Sequence, residues 1–439
     1  MTNRDPRAPK NRSSLVFMAG LIGAATVAIW LDGVGNYMIG AGRGVILAAD
    51  MEVLTPAPPR PLTNRDRDAA QTAWRYIAQN TRPTGLVDSV AGFPSTTLWD
   101  QGSYVLALAS AQALNVIPEA EFHTRVDQFL GALADLPLFE GKLPNKAYHT
   151  ETLAMVDYSN TAVPEGIGWS ALDIARLLSG LRVLERRAPE YGPRIRAILG
   201  RWDLAAMAAD GELTGATREN GETRYLQEGR IGYEQYGARA SALWGLDVIP
   251  AMSAARIIDW RRAAGVDVPS DRRDHNSFRS ITPTLSEPYM LQGLELGLDA
   301  ESARLATAVY RAQEARFRRE GHLTLVSEDH LDRAPRFVYN SVFSNGRPWA
   351  VVTESGEHHP DMRTVSLKAA FAWNALYDTD YTAQALTQLA DLATDGGWYA
   401  GRYEASGELN DVLALNTNAV VLEAIHYKAF GPLWQIAAP

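Results

Sequence analysis

Acidic residues stand beside aromatic residues at several points of the chain, most closely within Gly229–Asp247, GRIGYEQYGARASALWGLD. Glu234 lies there between Tyr233 and Tyr236, and the small and apolar residues that follow carry almost no charge. A helix of this composition has no polar face for water, so we expect it to be buried on nearly all sides. Flanking aromatic rings and burial oppose ionisation of a carboxyl group, whereas a helix N-terminus favours it. This balance makes Glu234 the candidate general acid.

The same pattern of acids and aromatic rings recurs before other apolar segments. Cleavage of a glycosidic bond needs a second carboxyl group, and Asp411 and Asp100 compete for that role. Aromatic faces, carboxylates, amides and arginines together suit a cleft that binds sugar rings. Some of these acids are equally well explained as helix caps, and single Trp and Tyr residues as parts of the core. The candidate substrate-binding residues are Trp99, Glu165, Trp169, Tyr233, Tyr236, Arg239, Glu287, Tyr289, Trp349, Trp398 and Asn416.

Helices must position these residues, because apolar residues recur at spacings of three and four from residue 66 onward. Pro and Gly mark the ends of the apolar segments, and no run alternates convincingly as a strand would. The predicted helices are 66–80, 98–114, 119–134, 168–184, 190–207, 234–247, 251–262, 286–297, 300–317, 363–377, 381–393 and 414–428.

These helices fall into two alternating sets. Every second one is rich in Ala, Leu and Gly and poor in charge, as in SYVLALASAQAL, whereas the others are amphipathic, as in RDRDAAQTAWRYIAQ. A buried inner ring inside a half-exposed outer ring explains both compositions, so the sequence predicts an all-α fold, an (α/α)6 toroid of six inner and six outer helices. An open helical solenoid is the alternative, but no fixed repeat length is visible.

Loop lengths predict which end of the toroid is functional. The segments before the inner helices are long, at roughly 81–97, 135–167, 208–233, 263–285, 318–362 and 394–413, and those after them are short. Because the inner helices of such a toroid run parallel, the long loops must share one face. Long loops in compact domains are usually functional, so we expect the site where the inner helices begin.

Composition excludes several classes of function. A net charge of −9 and the absence of basic runs with interleaved aromatics argue against a nucleic-acid partner. The sequence has no cysteine, so thiol nucleophiles and zinc–thiolate sites are excluded. It also lacks the motifs of phosphate-binding loops, dinucleotide folds, zinc proteases and serine hydrolases. The run Glu357–Asp361 is typical of a solvated loop rather than of a metal site, and no cofactor is predicted.

The N-terminus has the features of a membrane segment. Residues 1–14 form a basic tail, and the uncharged run 15–31 lies at the short end of what spans a bilayer. We therefore predict an inner-membrane anchor that leaves the rest of the chain in the periplasm, with a cleaved signal segment as the alternative. The predicted domains are the tail at 1–14, the anchor or signal segment at 15–48, a Pro-rich extended linker at 49–65 and a catalytic domain at 66–435.

Four motifs carry a resemblance to a known family. They are TTLWDQGSYVLAL at Thr96–Leu108, GRIGYEQYGARASALWG at Gly229–Gly245, SLKAAFAWNALY at Ser366–Tyr377 and LNTNAVVLEAI at Leu415–Ile425. Together with the N-terminal segment they resemble the bacterial envelope family called domain of unknown function 3131, over about 65–430. That family resembles in turn the (α/α)6 glucanases that act on β-1,2-glucans and related polysaccharides. The resemblance matches Glu234 to the acid of a Tyr-Glu motif and assigns no general base.

The sequence thus predicts a periplasmic glycoside hydrolase or transglycosylase that acts on a β-glucan or related envelope polysaccharide. A non-catalytic polysaccharide-binding or export accessory with the same barrel is the alternative. A lyase or epimerase on acidic polysaccharide is a third possibility, and it would require Arg230, Arg239 and Arg363 to point into the cleft.

Overall fold

In the computed structural model, eleven α-helices account for most of the regular structure in the described residues, which are 51–273 and 280–435. The helices are α1 Asn64–Asn80, α2 Leu98–Ala113, α3 Glu119–Asp135, α4 Ala171–Arg187, α5 Gly192–Leu199, α6 Tyr233–Ala242, α7 Glu287–Leu291, α8 Ala300–Glu320, α9 Leu367–Tyr377, α10 Asp380–Gln388 and α11 Leu415–Phe430. A π-helical turn, Gln292–Leu296, continues α7.

The apolar helices form the predicted inner ring. Helices α2, α4, α6, α7, α9 and α11 pack against one another in that order, and α11 closes the ring on α2. Every residue of α9 is buried, as its lack of a polar face predicted. Small residues allow the closest approach, because a Cβ added to Gly102 of α2 would lie 2.8 Å from the backbone carbonyl carbon of Arg176 in α4.

Five amphipathic helices, α1, α3, α5, α8 and α10, pack outside the ring in the described part of the chain. The fourth of the six predicted outer helices, 251–262, is wrong. A short 3₁₀ turn, Ile249–Met252, and strand Ile258–Ala263 occupy that stretch. Ala264 and Gly265 both have positive φ, at 50° and 84°, which is the backbone of a two-residue hairpin turn. The turn therefore makes this segment a β-hairpin.

The expectation of an all-α domain without strands is also wrong, because the long loops fold into short antiparallel sheets. The strands are β1 Ser95–Thr97, β2 Leu138–Phe139, β3 Leu143–Pro144, β4 Ala147–His149, β5 Met155–Val156, β6 Ala208–Ala209, β7 Glu212–Glu219, β8 Glu222–Gln227, β9 Ile258–Ala263, β10 Val266–Asp271, β11 Glu328–His330, β12 Phe337–Asn340, β13 Phe343–Ser344, β14 Arg347–Pro348, β15 Val351–Val352, β16 Thr364–Ser366, β17 Ala393–Thr394, β18 Gly397–Tyr403 and β19 Leu409–Leu413. The sheets have the orders β1-β4-β5, β2-β3, β6-β7-β8, β9-β10, β11-β12-β15, β13-β14 and β16-β18-β17, and β19 also pairs with β18.

The segments that precede the inner helices, here called the rim loops, join into one ring on one face. Their described residues are 81–97, 136–170, 200–232, 253–273 with 280–286, 321–366 and 389–414. Each loop is hydrogen-bonded to the next: β1 to β4, Ala216 N to Trp169 O, Ile231 N to an Asp271 carboxylate oxygen, Thr284 N to Phe343 O, β16 to β18, and Ala91 N to Leu413 O. The predicted position of the long loops is confirmed.

The Pro-rich segment before α1 lies against the opposite face, where the inner helices end. Arg60 donates to the carbonyl oxygens of Asn374 and Ala375, at 2.9 and 3.3 Å, near the end of α9. Its positive charge suits the C-terminal end of a helix dipole. The segment also packs on the barrel through Ala57 N and Arg60 N, which donate to Leu376 O and Lys428 O, both at 2.6 Å. Its extended conformation stays a prediction.

The predicted membrane segment 15–31, with all of residues 1–50, lies outside the described residues. Across 51–273 and 280–435, the helices are all too short or too polar to cross a bilayer.

Candidate active-site cleft

A fully buried ion pair lies beneath the rim. Glu287, the first residue of α7, pairs with Lys368 of α9 and accepts hydrogen bonds from Asn416 of α11 at 2.5 Å and from Ser327 at 2.8 Å. Burial opposes ionisation of Glu287, but the Lys368 charge and these hydrogen bonds outweigh it and lower the pKa of the carboxyl. Glu287 is thus an ionised anchor that joins three inner helices and is closed to solvent.

Glu328, in β11, lies next to this anchor and is partly exposed. Burial, followed by repulsion from Glu287, raises the pKa of Glu328 to about 8. The hydroxyl of Tyr233 donates to its Oε2 and holds the carboxyl group in place. Glu328 therefore has two properties of a general acid, an accessible proton at neutral pH and a fixed orientation.

Asp173 is a second partly exposed acid, in the first turn of α4. Burial, followed by repulsion from Glu228, raises the pKa of Asp173 to about 8. Glu228 accepts from the Ser170 hydroxyl at 2.7 Å and from Ala171 N at 2.5 Å, so it caps α4 beside Asp173. The charge of Asp173 also contributes to the raised pKa of Glu328, after the larger effects of burial and Glu287.

Aromatic rings surround this pair of acids. Trp99, 9% exposed, meets Tyr233 and Tyr236 edge to face, with ring centroids 5.8 and 5.9 Å apart. The indole N–H of Trp99 is buried and has no hydrogen-bond acceptor among the described residues. In a protein interior such a donor normally has a partner.

Two further tyrosines come from rim loops on opposite sides of the ring. Tyr158 precedes α4 and is 56% exposed, yet its phenol pKa is raised, by burial first and then by repulsion from Asp173 and Glu354. Tyr339, in β12 before α9, has its pKa raised by burial and by Glu328, with a smaller contribution from Tyr158. The phenols of both tyrosines are therefore close enough to these acids to interact with them electrostatically.

Several sequence-predicted residues belong to this cleft or support it directly: Trp99, Tyr233, Tyr236, Glu287, Asn416 and Asp100. Asp100 accepts from the hydroxyls of Ser89 and Thr97, at 2.5 and 2.9 Å, while its backbone N–H donates to Thr97. Thr97 is therefore the N-cap of α2, and Asp100 lies in the first turn and contacts the cap residue. The charge of Asp100 also contributes to the raised pKa of Asp173.

Glu234 has a different environment. It accepts from Gln227 at 2.9 Å and from Arg273 at 2.6 Å, and Arg273 also pairs with Asp271 at the end of β10. Burial raises the pKa of Glu234, as predicted, although Arg273 opposes the shift. Successive residues of a helix point about 100° apart, so Tyr233 faces the cleft and Glu234 faces the hairpin outside it. These contacts give Glu234 a structural ion pair.

Trp169, Trp398, Tyr289 and Trp349 pack within or beside the core. The indole N–H groups of Trp169 and Trp398 donate to Thr214 O and Ala69 O, both at 3.0 Å. Tyr289 is buried beside Gly232, and the guanidinium of Arg316 lies over Trp349, 5.1 Å from the ring centroid.

The remaining predicted residues lie at the surface or below the rim. Glu165 is exposed and pairs with Arg218 at 2.7 Å. Arg239 pairs with Asp299 at 2.8 Å. Asp411 is exposed in β19, and its carboxylate forms no hydrogen bond with a described residue. None of these three side chains pairs with Asp173 or Glu328 within the described residues.

Sequence reasoning missed Glu328, Asp173, Lys368, Tyr158 and Tyr339. The acidic and aromatic pattern marks helix starts, whereas Glu328 lies in a strand within a rim loop. Asp173 does stand at a helix start, but its spacing of three from Ser170 is that of an ordinary cap. The signal for Glu328 in the sequence is its position as an acid in a long loop.

No group of three potential metal ligands occurs in the described parts of the chain. His359 approaches Glu357 at 3.5 Å, but this pair is not joined by a third ligand there.

With this geometry established, comparison with known proteins identifies the family. The model for the family described as "Protein of unknown function (DUF3131)" matches residues 68–431. The chain belongs to this family. No curated protein matches the sequence.

Solved structures share the fold of this DUF3131 protein. The endo-β-1,2-glucanase of Chitinophaga pinensis, in complex with sophorotriose and glucose, aligns with a TM-score of 0.60 and 12% identity over 86% of this chain and 95% of that chain. The endo-β-1,2-glucanase of Talaromyces funiculosus, in complex with sophorose, aligns with a TM-score of 0.53 and 12% identity over 84% of each chain. A provisionally assigned glucoamylase of Bacteroides caccae aligns with a TM-score of 0.60 and 13% identity over 85% of this chain and 94% of that chain. The resemblance to (α/α)6 glucanases is confirmed at the level of fold.

The buried anchor gives a stability prediction. Lys368→Met leaves the Glu287 carboxylate without its cation, so we expect the free energy of unfolding to fall by about 3–5 kcal/mol. Urea unfolding followed by tryptophan fluorescence measures the change. Adding Glu287→Gln to Lys368→Met should recover part of the loss, and a double variant as unstable as Lys368→Met would contradict the pairing.

Proposed function

We propose that this protein is a glycoside hydrolase or transglycosylase that cleaves an uncharged β-glucan, anchored in the inner membrane through residues 15–31 and facing the periplasm. The observation that carries the proposal is the pair Glu328 and Asp173, two accessible acids with raised pKa values among aromatic rings. The fold is that of enzymes whose complexes contain sophorose or sophorotriose. A β-1,2-glucan is therefore the first substrate to test.

Each acid has a defined role in the proposed reaction. The pKa of each group is raised to about 8, so each holds a proton at neutral pH. Glu328, oriented by Tyr233, protonates the glycosidic oxygen as the bond to the anomeric carbon breaks. Asp173, when ionised, accepts a proton from the attacking water or sugar hydroxyl, or attacks the anomeric carbon itself. The aromatic rings of Trp99, Tyr158 and Tyr339 hold the sugar between the two acids.

The charges around the cleft bear on the type of glycan. Lys368 forms an ion pair with Glu287, Arg239 with Asp299, and Arg363 with Glu404, the last at 3.3 Å. Arg230 donates to Gln227 and to Gly229 O, beside Arg273. An acidic polysaccharide would meet mostly carboxylates in the cleft, so these contacts favour a neutral glycan over the substrate of a lyase or epimerase.

The role of Glu328 is tested by substitution. Glu328→Gln keeps the shape of the side chain but removes its proton, so we expect the rate on β-1,2-glucan to fall by at least ~10²-fold. Release of new reducing ends from the polymer measures the rate. Glu222→Gln, on exposed strand β8, is the control and should leave the rate unchanged.

The same assay compares the two candidate acids. Full activity in Glu328→Gln with loss of activity in folded Glu234→Gln would return the acid role to Glu234. Binding of β-glucans by the wild-type protein without cleavage of any of them would instead favour a polysaccharide-binding accessory.

The pH dependence of the rate is a second prediction. An acid must be protonated to act, so the rate should fall as pH rises through about 8, the raised pKa of Glu328. The Tyr233 hydroxyl favours the ionised form of Glu328, so Tyr233→Phe should move this alkaline limb to higher pH. Tyr191→Phe, at a tyrosine that contacts His123 outside the ring, should not move it. An identical limb in wild type and Tyr233→Phe would contradict the assignment.

A further inference from the structure

Below the cleft, three fully buried charged side chains meet across the centre of the ring. Arg176 of α4 lies 3.0 Å from Glu295 Oε1 in the π-helical turn and 3.2 Å from Glu423 Oε1 in α11. These elements alternate around the ring, so their side chains can meet only in its middle. A π-helical turn shifts the register of the residues that follow, and such turns frequently mark functional positions. One guanidinium facing two ionised carboxylates would leave a negative charge uncompensated.

The oxygens of the two carboxyl groups are unequally satisfied. Glu295 Oε2 accepts from the Tyr236 hydroxyl at 2.6 Å and from the Ser179 hydroxyl at 3.0 Å. Glu295 Oε1 and Glu423 Oε2 are buried and accept no hydrogen bond from any described residue. The Arg176 guanidinium holds the two carboxyl groups side by side, at 3.0 and 3.2 Å, and a hydrogen bond between them contributes to the pKa shift of each. An ionised carboxylate is only an acceptor, so a hydrogen bond between them requires one group to carry a proton.

We propose that Glu423 retains a proton and donates it to Glu295, and that this carboxyl–carboxylate pair is a positioning element for the cleft above it. The proton supplies a hydrogen bond between the two oxygens that otherwise have none, and it reduces the charge around Arg176 to one positive and one negative. The charged and titratable groups that face the pair are Arg176 from α4, Tyr236 from α6 and Glu287 from α7.

The electrostatic environment supports this placement of the proton. Burial raises the pKa of Glu423 well above its ordinary value, and Arg176 opposes this shift, whereas Glu295 and Glu287 reinforce it. Burial also raises the pKa of Glu295, but Arg176 and hydrogen bonds from Tyr236 and Ser179 oppose that shift. Glu295 is therefore the better acceptor and Glu423 the better donor.

Two sets of contacts connect the pair to the cleft. The Arg176 guanidinium lies under the Trp99 ring, 4.8 Å from its centroid, and Tyr236 packs against the same ring. Arg176 Nε donates to the Ser103 hydroxyl at 3.0 Å, and this hydroxyl donates to Asn416. Asn416 in turn donates to Glu287, so the chain of hydrogen bonds ends at the buried anchor. Loss of the proton would displace Arg176 and Tyr236 and tilt Trp99, the floor of the cleft. This positioning role rests on the proposed function, whereas the protonation does not.

Infrared spectroscopy tests the protonation directly. The wild-type spectrum minus that of Glu423→Gln at neutral pH should contain the carbonyl stretch of a protonated carboxylic acid. Glu328→Gln is the matched control, because it removes a different carboxyl group. The acid band of Glu328, obtained by subtracting the spectrum of the double variant from that of Glu423→Gln, should still be present. Absence of an acid band from the wild-type minus Glu423→Gln spectrum would overturn the proposal.

Stability distinguishes Glu423 from a second buried glutamate on an inner helix. The amide of Glu423→Gln can donate to Glu295 as the proton did, so the thermal midpoint should be unchanged. Glu287→Gln removes an ionised partner of Lys368 and should lower the midpoint. Equal losses in the two variants would show that Glu423 is ionised and would overturn the proposal.

Kinetics test the positioning role. Glu423→Ala, which removes the donor, should lower kcat on the β-glucan more than it changes KM, and Glu423→Gln should restore kcat. An unchanged kcat in Glu423→Ala would overturn the positioning role while leaving the protonation to the infrared result. If the wild-type protein cleaves no glucan, the proposed function fails, and infrared spectroscopy and stability still decide whether the pair holds a proton.

Discussion

The ion pair of Glu287 and Lys368 constrains the rest of the rim. Two charges closed to solvent are costly unless they are paired and hydrogen-bonded, and here Asn416 and Ser327 complete the set. The pair joins α7 to α9 directly and to α11 through Asn416. Its carboxylate also repels Glu328, the accessible acid next to it, and so helps to keep that acid protonated. One buried interaction therefore fixes the helices and prepares the chemistry.

The cleft combines two opposing effects on carboxyl groups. Helix N-termini favour the ionised form, and the hydrogen bond from Ala171 N at the start of α4 lowers the pKa of Glu228 against the larger effect of burial, which raises it. Burial and mutual repulsion favour the neutral form, and they determine the state of Asp173 and Glu328. Such separation of ionised and neutral acids within one site is what general acid–base chemistry requires.

The sequence predicted the architecture because hydrophobic periodicity reports burial. Charge-poor segments such as SLKAAFAWNALY became the fully buried α9, and the long connections met on one face as expected. It failed where backbone conformation overrides periodicity. Ala254 and Ile257 are buried and spaced like helix residues, but the positive φ angles at Ala264 and Gly265 produce a hairpin.

The site was harder to predict than the fold. Glu234 was correctly expected to be buried, but sequence could not show that Arg273, distant in the chain, supplies its partner. Glu328 was not predicted, because its raised pKa and its orientation depend on Glu287 and Tyr233, which only the closed ring brings beside it. Helix caps can be predicted from residues that are neighbours in the sequence. The pairing of acids from different rim loops cannot, because it depends on the closed ring.

The central claim is that a sugar chain lies on Trp99 between Asp173 and Glu328. The most direct measurement is a crystal structure of the Glu328→Gln variant with a β-1,2-linked gluco-oligosaccharide. Our account predicts sugar rings between Tyr158 and Tyr339, with a glycosidic oxygen about 3 Å from the amide of residue 328. An oligosaccharide bound beside Glu234 and Arg273, or away from the rim loops, would contradict it.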